Sequence, residues 1–256
     1  MGAKDSDSVL SSSSALRLVA REAHGRILGR IKLQFHRSVS VSNSVTLLFH
    51  TLGSLNLCAP AFVRESTYLH ERWKMARDRN PPPLQMTPAD LFSMWILHHL
   101  PRPVHLVSYG EMTHGNMFPM DLLGRLSADV FVIGMHSTSP AIPHWQSVRR
   151  IAVSAVPLRL KPTVYAMGKN HRLPAFDPST LPLAFSSSAL FQIPVPDEAL
   201  SIRELDVEQS LDIGSHTLFV ARTANMEKRT EEPQMCHVHR FYQQYLIRHN
   251  RPLPSL

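Results

Sequence analysis

Three short polar clusters, separated by apolar runs, are the residues whose types and spacing could carry chemistry. The first is Asn116-Met117-Phe118-Pro119-Met120-Asp121, inside GNMFPMDLLG at Gly115 to Gly124. The second is His136-Ser137-Thr138-Ser139-Pro140, directly after the apolar run VFVIGM. The third is Gly214-Ser215-His216-Thr217-Leu218-Phe219, a turn followed by a β-rich run. Short hydroxyl side chains opening a helix have two readings: they cap its free N–H groups, or they and those groups hold a phosphate. A histidine on a strand is either a structural residue satisfied by its neighbours or a group that exchanges protons near neutral pH.

Other chemistries find little support. The 15 histidines include His98-His99, His171 and the pair His237 and His239, but no set has zinc-ligand spacing with a carboxylate beside it. There is no G-x-S-x-G elbow, no G-x-G-x-x-G and no Walker sequence, which speaks against a serine hydrolase and a dinucleotide-binding Rossmann domain. Cys58 and Cys236 stand far apart without C-x-x-C spacing, so a reducing, cytoplasmic setting is expected.

Composition bounds the rest. Hydrophobic residues make up 43% and charged residues 18% of 256 positions, the balance of a globular chain rather than a disordered one. The longest apolar runs, LFSMWIL and VFVIGM, are too short to span a membrane as helices. A formal charge of +7 favours anionic partners, yet the basic residues are dispersed in small clusters, so no clear nucleic-acid footprint emerges.

The elements that must position the clusters follow from periodicity. Residues 1–14 are polar and serine-rich and read as a disordered start. Leu16, Val19, Ala20, Ala23, Ile27 and Leu28 recur at helical spacing, which predicts an amphipathic helix over Ala15 to Leu28. Ile31, Leu33 and Phe35 alternate with polar residues and, with VTLLFH, suggest a hairpin. Tyr68 to Asn80 reads as a charged helix that the run Pro81-Pro82-Pro83 ends. That run is the expected boundary between an amino-terminal extension, 15–83, and a larger domain, 84–256.

Thr87-Pro88-Ala89-Asp90 predicts a capped helix to about Leu100, followed by a strand over Val104 to Ser108. Further strands are expected at Asp129 to Met135, Arg150 to Ala155, Ala199 to Ser210 and His216 to Ala224. A helix is expected at Ser139 to Val148, loops over Pro157 to Pro196, and a closing helix or strand over His237 to His249.

In this order, PRPVHLVS, GNMFPMDLLG, VFVIGM with HSTSP, IAVSAVP and GSHTLFVAR resemble the flavin reductase-like family of FMN-binding split β-barrels, over roughly the last three fifths of the chain. The resemblance implies a mainly β, α+β fold: an FMN-binding split barrel preceded by a helix and strand extension. It implies FMN as cofactor, NAD(P)H as co-substrate, and a homodimer with flavin at its interface. Asn116, with Met117, Phe118, Pro119 and Asp121, is similar to the family's N-x-x-P-Y-S segment at the flavin ring edge. Thr138 and Ser139 match its S-x-T or K-D-T phosphate segment. Gly214, Ser215 and His216 match its G-D-H-T-I-F turn, where His216 would lie near flavin and nicotinamide and is the candidate catalytic residue.

Two departures stand out: Asp121 replaces a hydroxyl, and Ser215 replaces an aspartate. A carboxylate beside a phosphate requires that Asp121 turn away, that Arg125 or Arg149 balance it, or that FMN bind in another manner. The alternative function is a non-catalytic split barrel that binds another ligand, such as haem, or serves as an interaction module.

Overall fold

Ala15 to Leu28 does not form the expected helix. In the computed structural model, which describes residues 15–22, 24–41, 44–77, 87–175 and 180–253, it forms strand β1 (Ala15–Arg21), a turn at Gly25 and the start of β2 (Ile27–Val41). Leu16, Leu18 and Ala20 fit a strand face as well as a helix stripe, and the register sets them against Leu33, Ile31 and Gly29. Cross-strand pairing then decides, and Gly25 at φ 85° supplies the left-handed residue that the turn needs. The expected disordered start lies outside the described residues, as does the proline run.

The remaining strands are β3 (Ser44–Asn56), β4 (Arg102–Pro103), β5 (His105–Gly110), β6 (Gly115–Met120), β7 (Leu123–Arg125), β8 (Val130–His136) and β9 (Arg150–Ala155). They continue as β10 (Phe185–Ser187), β11 (Pro194–Pro196), β12 (Ser201–Ile213), β13 (His216–Lys228) and β14 (Cys236–His237). The helices are α1 (Ala61–Arg77), α2 (Pro88–Leu97), α3 (Ile142–Val148), α4 (Lys161–Ala166) and α5 (Arg240–Arg248). Helix α1 starts earlier than Tyr68 because the Pro60 carbonyl accepts from Val63 and Arg64 and opens its first turn. The stretch expected as loops carries α4, two 3₁₀ turns, β10 and β11.

The chain divides into two units. The first takes 1–81, 85–100 and 238–253. Its sheet runs β1-β2-β3. Ala20, Leu28 and Ile31 from the strands, Leu91, Trp95 and Ile96 from α2, and Phe241, Tyr245 and Leu246 from α5 form its core. Helix α2 has the predicted cap: Thr87 Oγ1 accepts from Asp90 N, and the Asp90 carboxylate accepts from Thr87 N in return. At Gly29 a Cβ would stand 2.7 Å from Ile96 Cγ2, so only glycine lets helix and sheet approach there.

The second unit, centred on residues 101–237, is built on an antiparallel sheet of order β6-β5-β9-β12-β13-β8-β7. Strands β12 and β13 form a long hairpin whose register shifts at Glu204/Leu205 and Val207/Gln209, and such bulges bend and twist a ladder. β6 and β7, at opposite ends of the order, are joined through residues 121 and 122, and Leu122 O accepts from Gly134 N at 2.8 Å. The sheet is thereby curled into an open, split barrel whose end strands β6 and β7 do not pair. Val107, Phe118, Ile133, Val153, Leu205 and Phe219 fill its interior. Trp145 from α3, fully buried, closes it with its ring 5.1 Å from that of Phe219. The fold is mainly β with helices, the α+β class expected.

Candidate functional site

The second and third clusters meet. In the β8–β13 ladder His136 is the register partner of His216, and their rings stand 5.5 Å apart at 68°. His216 follows a two-residue turn, Gly214-Ser215, in which Gly214 takes φ 60° at the first central position, the requirement of a tight hairpin. Ser215 O accepts from Ser137 N at 3.0 Å, and this bond ties the two loops together. Ser215 Oγ lies 3.0 Å from His216 Nδ1, and Thr138 Oγ1 lies 2.8 Å from His136 Nδ1. Ser137 Oγ is buried without a hydrogen-bond partner. Burial pushes the His216 imidazole below its usual range, and the adjacent His136 pushes it the same way. The half-buried ring therefore favours its neutral form.

Helix α3 begins at Ile142, later than the expected Ser139. Its N-cap is Ala141 without a side-chain bond, and Pro140 and Pro143 restrict the turn before it. Ser139 Oγ accepts from Ala141 N at 3.4 Å, while the Ser139 N–H goes to His136 O. What this segment offers an anion is therefore the hydroxyls of Ser137, Thr138 and Ser139.

The first cluster lies on β6, apart from Asp121 directly after it, at the end of the strand order opposite β8 and β7. Asn116 is fully buried, and its amide donates to Asn170 O at 3.1 Å and Leu173 O at 2.7 Å. Met117 sits among Val104, Leu106, Val156, Val164 and Met167, whereas Phe118 enters the barrel interior. Pro119 is the register partner of Leu106. Asp121 is balanced neither by Arg125 nor by Arg149 but by Arg102, at 2.8 Å. The bridge of β4 to β14 brings Arg102 there, a pairing invisible in local spacing.

The structure thus unites Thr138, Ser139, Gly214, Ser215 and His216, and gives Asn116, Met117 and Phe118 interior places. His136 stands in the second cluster, but only Thr138 and Ser139 of that cluster are given a role by the motif. Its pairing with His216 rests on the β8–β13 register, which local spacing does not give. Tyr109 and His144 carried no motif, yet their rings stand 4.5 Å apart and the Tyr109 hydroxyl donates to Pro174 O. Among the described residues no three His, Cys, Asp or Glu side chains are grouped to hold a metal ion. No helix among them is long and apolar enough to cross a membrane.

The sequence matches no protein-family model and no curated protein. Solved structures do match the fold. An NADH:FAD oxidoreductase of Streptomyces globisporus C-1027 aligns with TM-score 0.53 and 15% identity, over 62% of this chain and 95% of that one. The flavin reductase component of a bacterial two-component tryptophan halogenase gives 0.51 and 16%, over 57% and 92%. An FMN-binding protein from Thermus thermophilus gives 0.50 and 18%, over 64% and 91%. At these identities the likeness speaks for architecture alone: over about three fifths of its length this chain shares the split β-barrel fold of these proteins.

Proposed function

We propose that the barrel binds a flavin, FMN in the first instance, and acts as an NAD(P)H-dependent flavin reductase. The observation that carries this reading is the union of the His136 to Ser139 segment with the Gly214 to His216 turn on a flavin reductase-type barrel. Support also comes from the similar structures, one of which holds NAD and FAD fragments and another of which is described as FMN-binding. The residues fit such a group: Ser137 Oγ is a buried hydroxyl in need of a partner, and the Asp121 carboxylate is already held by Arg102.

Ser137, Thr138 and Ser139 would hold the phosphate through their hydroxyls. His216 and His136, packed edge to face, would line the ring side and orient flavin or nicotinamide. When bound, the flavin supplies the hydride-accepting chemistry, and no side chain need act as a general acid. The same reading carries a homodimer, with a second copy completing the site.

The test is titration of the purified protein with FMN and with riboflavin, followed by absorbance and flavin fluorescence. Thr138→Ala combined with Ser139→Ala should weaken FMN binding about tenfold, or roughly 1.4 kcal/mol, and leave riboflavin unchanged. Equal effects on both flavins would remove these residues from the phosphate, and no binding of either would overturn the proposal. An NADH oxidation assay and sedimentation then test the activity and the dimer.

A further inference from the structure

The outer face of the β1-β2-β3 sheet holds a cleft of about 370 Å³ into which three cations project. Arg17 on β1 stands directly opposite Lys32 on β2, and Lys32 opposite Gly53 on β3; one step along, Arg30 stands opposite Leu55. Residues directly opposed or two apart share a sheet face, with opposed Cβ atoms about 4.5–5.5 Å apart. Like charges so placed repel. Among the described residues none of the three has an ion-pair or hydrogen-bond partner, and no carboxylate lines the cleft. Gly53 opens the floor, since a Cβ built there meets nothing within 4 Å, and Leu52 and Leu55 give the cleft apolar walls.

We infer that this cleft is a binding site for a small phosphate-bearing ligand of diphosphate size. Three unpaired cations of one sign, two of them arginines whose planar fork matches phosphate oxygens, would have their repulsion relieved by an anion of two or more charges. The volume is that of a small-molecule site, and the absence of aromatic side chains in its lining gives nothing for a nucleic-acid base to stack on. The inference is independent of flavin binding, and its test contains no flavin.

The probe is inorganic pyrophosphate, titrated by calorimetry into the full chain at low salt, with the melting temperature followed in parallel. Binding should raise the melting temperature. It should weaken at least tenfold in Lys32→Gln, in Arg17→Gln and in Gly53→Val, which fills the cleft without altering charge and suits a strand. Arg37→Gln, exposed on β2 outside the cleft, should leave binding unchanged. An unresponsive wild-type chain, equal weakening in the Arg37 variant, or unaltered binding by Gly53→Val would each overturn the inference. So would recruitment to phosphatidylserine vesicles that pyrophosphate does not compete away, which would make the face a membrane contact.

Discussion

Asn116 and Asn170 hold each other's segments: Asn116 Nδ2 donates to Asn170 O at 3.1 Å, and Asn170 Nδ2 donates to Met117 O at 3.0 Å. The reciprocal clasp fixes the 3₁₀ turn Met167–Arg172 along the outer side of β6. Both side chains are buried; removing Asn170 takes the side-chain donor from Met117 O, and removing Asn116 takes it from Leu173 O. Asn170→Ala should destabilise the barrel by about 1–3 kcal/mol. Urea unfolding checks this, and an unchanged midpoint would show that water replaces the clasp.

The His136–His216 pair makes a sharper electrostatic prediction. His136 contributes to holding the His216 imidazole below its usual range, so His136→Gln should raise the His216 pKa toward the ordinary histidine value. Proton NMR titration of the ring hydrogens reads this directly. A pKa that stays put would leave burial as the whole cause.

Acid should destabilise the chain through His99. The residue is fully buried in the first unit, neither ring nitrogen has a partner, and burial pushes its pKa down to about 4 from an ordinary value of 6.5. Above pH 6.5 both folded and unfolded forms carry a neutral ring and no penalty arises. Below it the unfolded chain takes up the proton first, so stability falls until about pH 4, by roughly 3 kcal/mol. His99→Phe should flatten that part of the profile of unfolding free energy against pH.

Glu204 works in the opposite sense to a bare buried charge. Burial alone would raise its pKa, but bonds from Asn225, Ser188, Phe191 and Leu190 together lower it below the ordinary 4.5. Its stabilisation is present above pH 4.5 and is lost as pH falls through the depressed value. Glu204→Gln, which turns a donor toward these donors, should cost about 2–3 kcal/mol at pH 7. Thermal unfolding at pH 7 measures the loss.

The turn joining β5 to β6 depends on two glycines. Gly110 has φ 84°, and a Cβ at Gly115 would stand 2.6 Å from Tyr109 O and 2.9 Å from Glu111 O. Gly115→Ala should cost at least about 2 kcal/mol, because backbone atoms rather than side-chain tips must give way. Gly124→Ala meets nothing within 4 Å and should be neutral to within about 0.5 kcal/mol. Denaturant midpoints of the two variants compare them.

The barrel was legible in sequence because its strands carry regular signals. Val130–His136 and Arg150–Ala155 are apolar runs bounded by turns, and Thr87 with Asp90 is a local capping signal that needs no tertiary partner. Ala15–Arg21 was misread because seven residues with apolar positions 16, 18, 19 and 20 satisfy both periods, and only pairing with Ile31 and Leu33 separates them. In the site, the turn at Gly214 and the histidine after it were visible, since each lies within one motif. The meeting with His136 and the Asp121–Arg102 pair were not, because both depend on register between strands distant in the chain. The interior fate of Asn116 depends on a 3₁₀ turn that no local pattern announces.

The first unit is assembled from two ends of the sequence, with α5 supplying Phe241, Tyr245 and Leu246 to a core begun by Ala20 and Leu28. On the ribosome this has a temporal consequence. The amino-terminal strands emerge first but must wait, with apolar surface uncovered, while the whole barrel is synthesised and α5 follows. Residues 101–237, a continuous stretch that forms most of the second unit, can close earlier. The order of maturation thus runs against the order of translation, and during that interval the early strands are the part of the chain for which a chaperone would have most use.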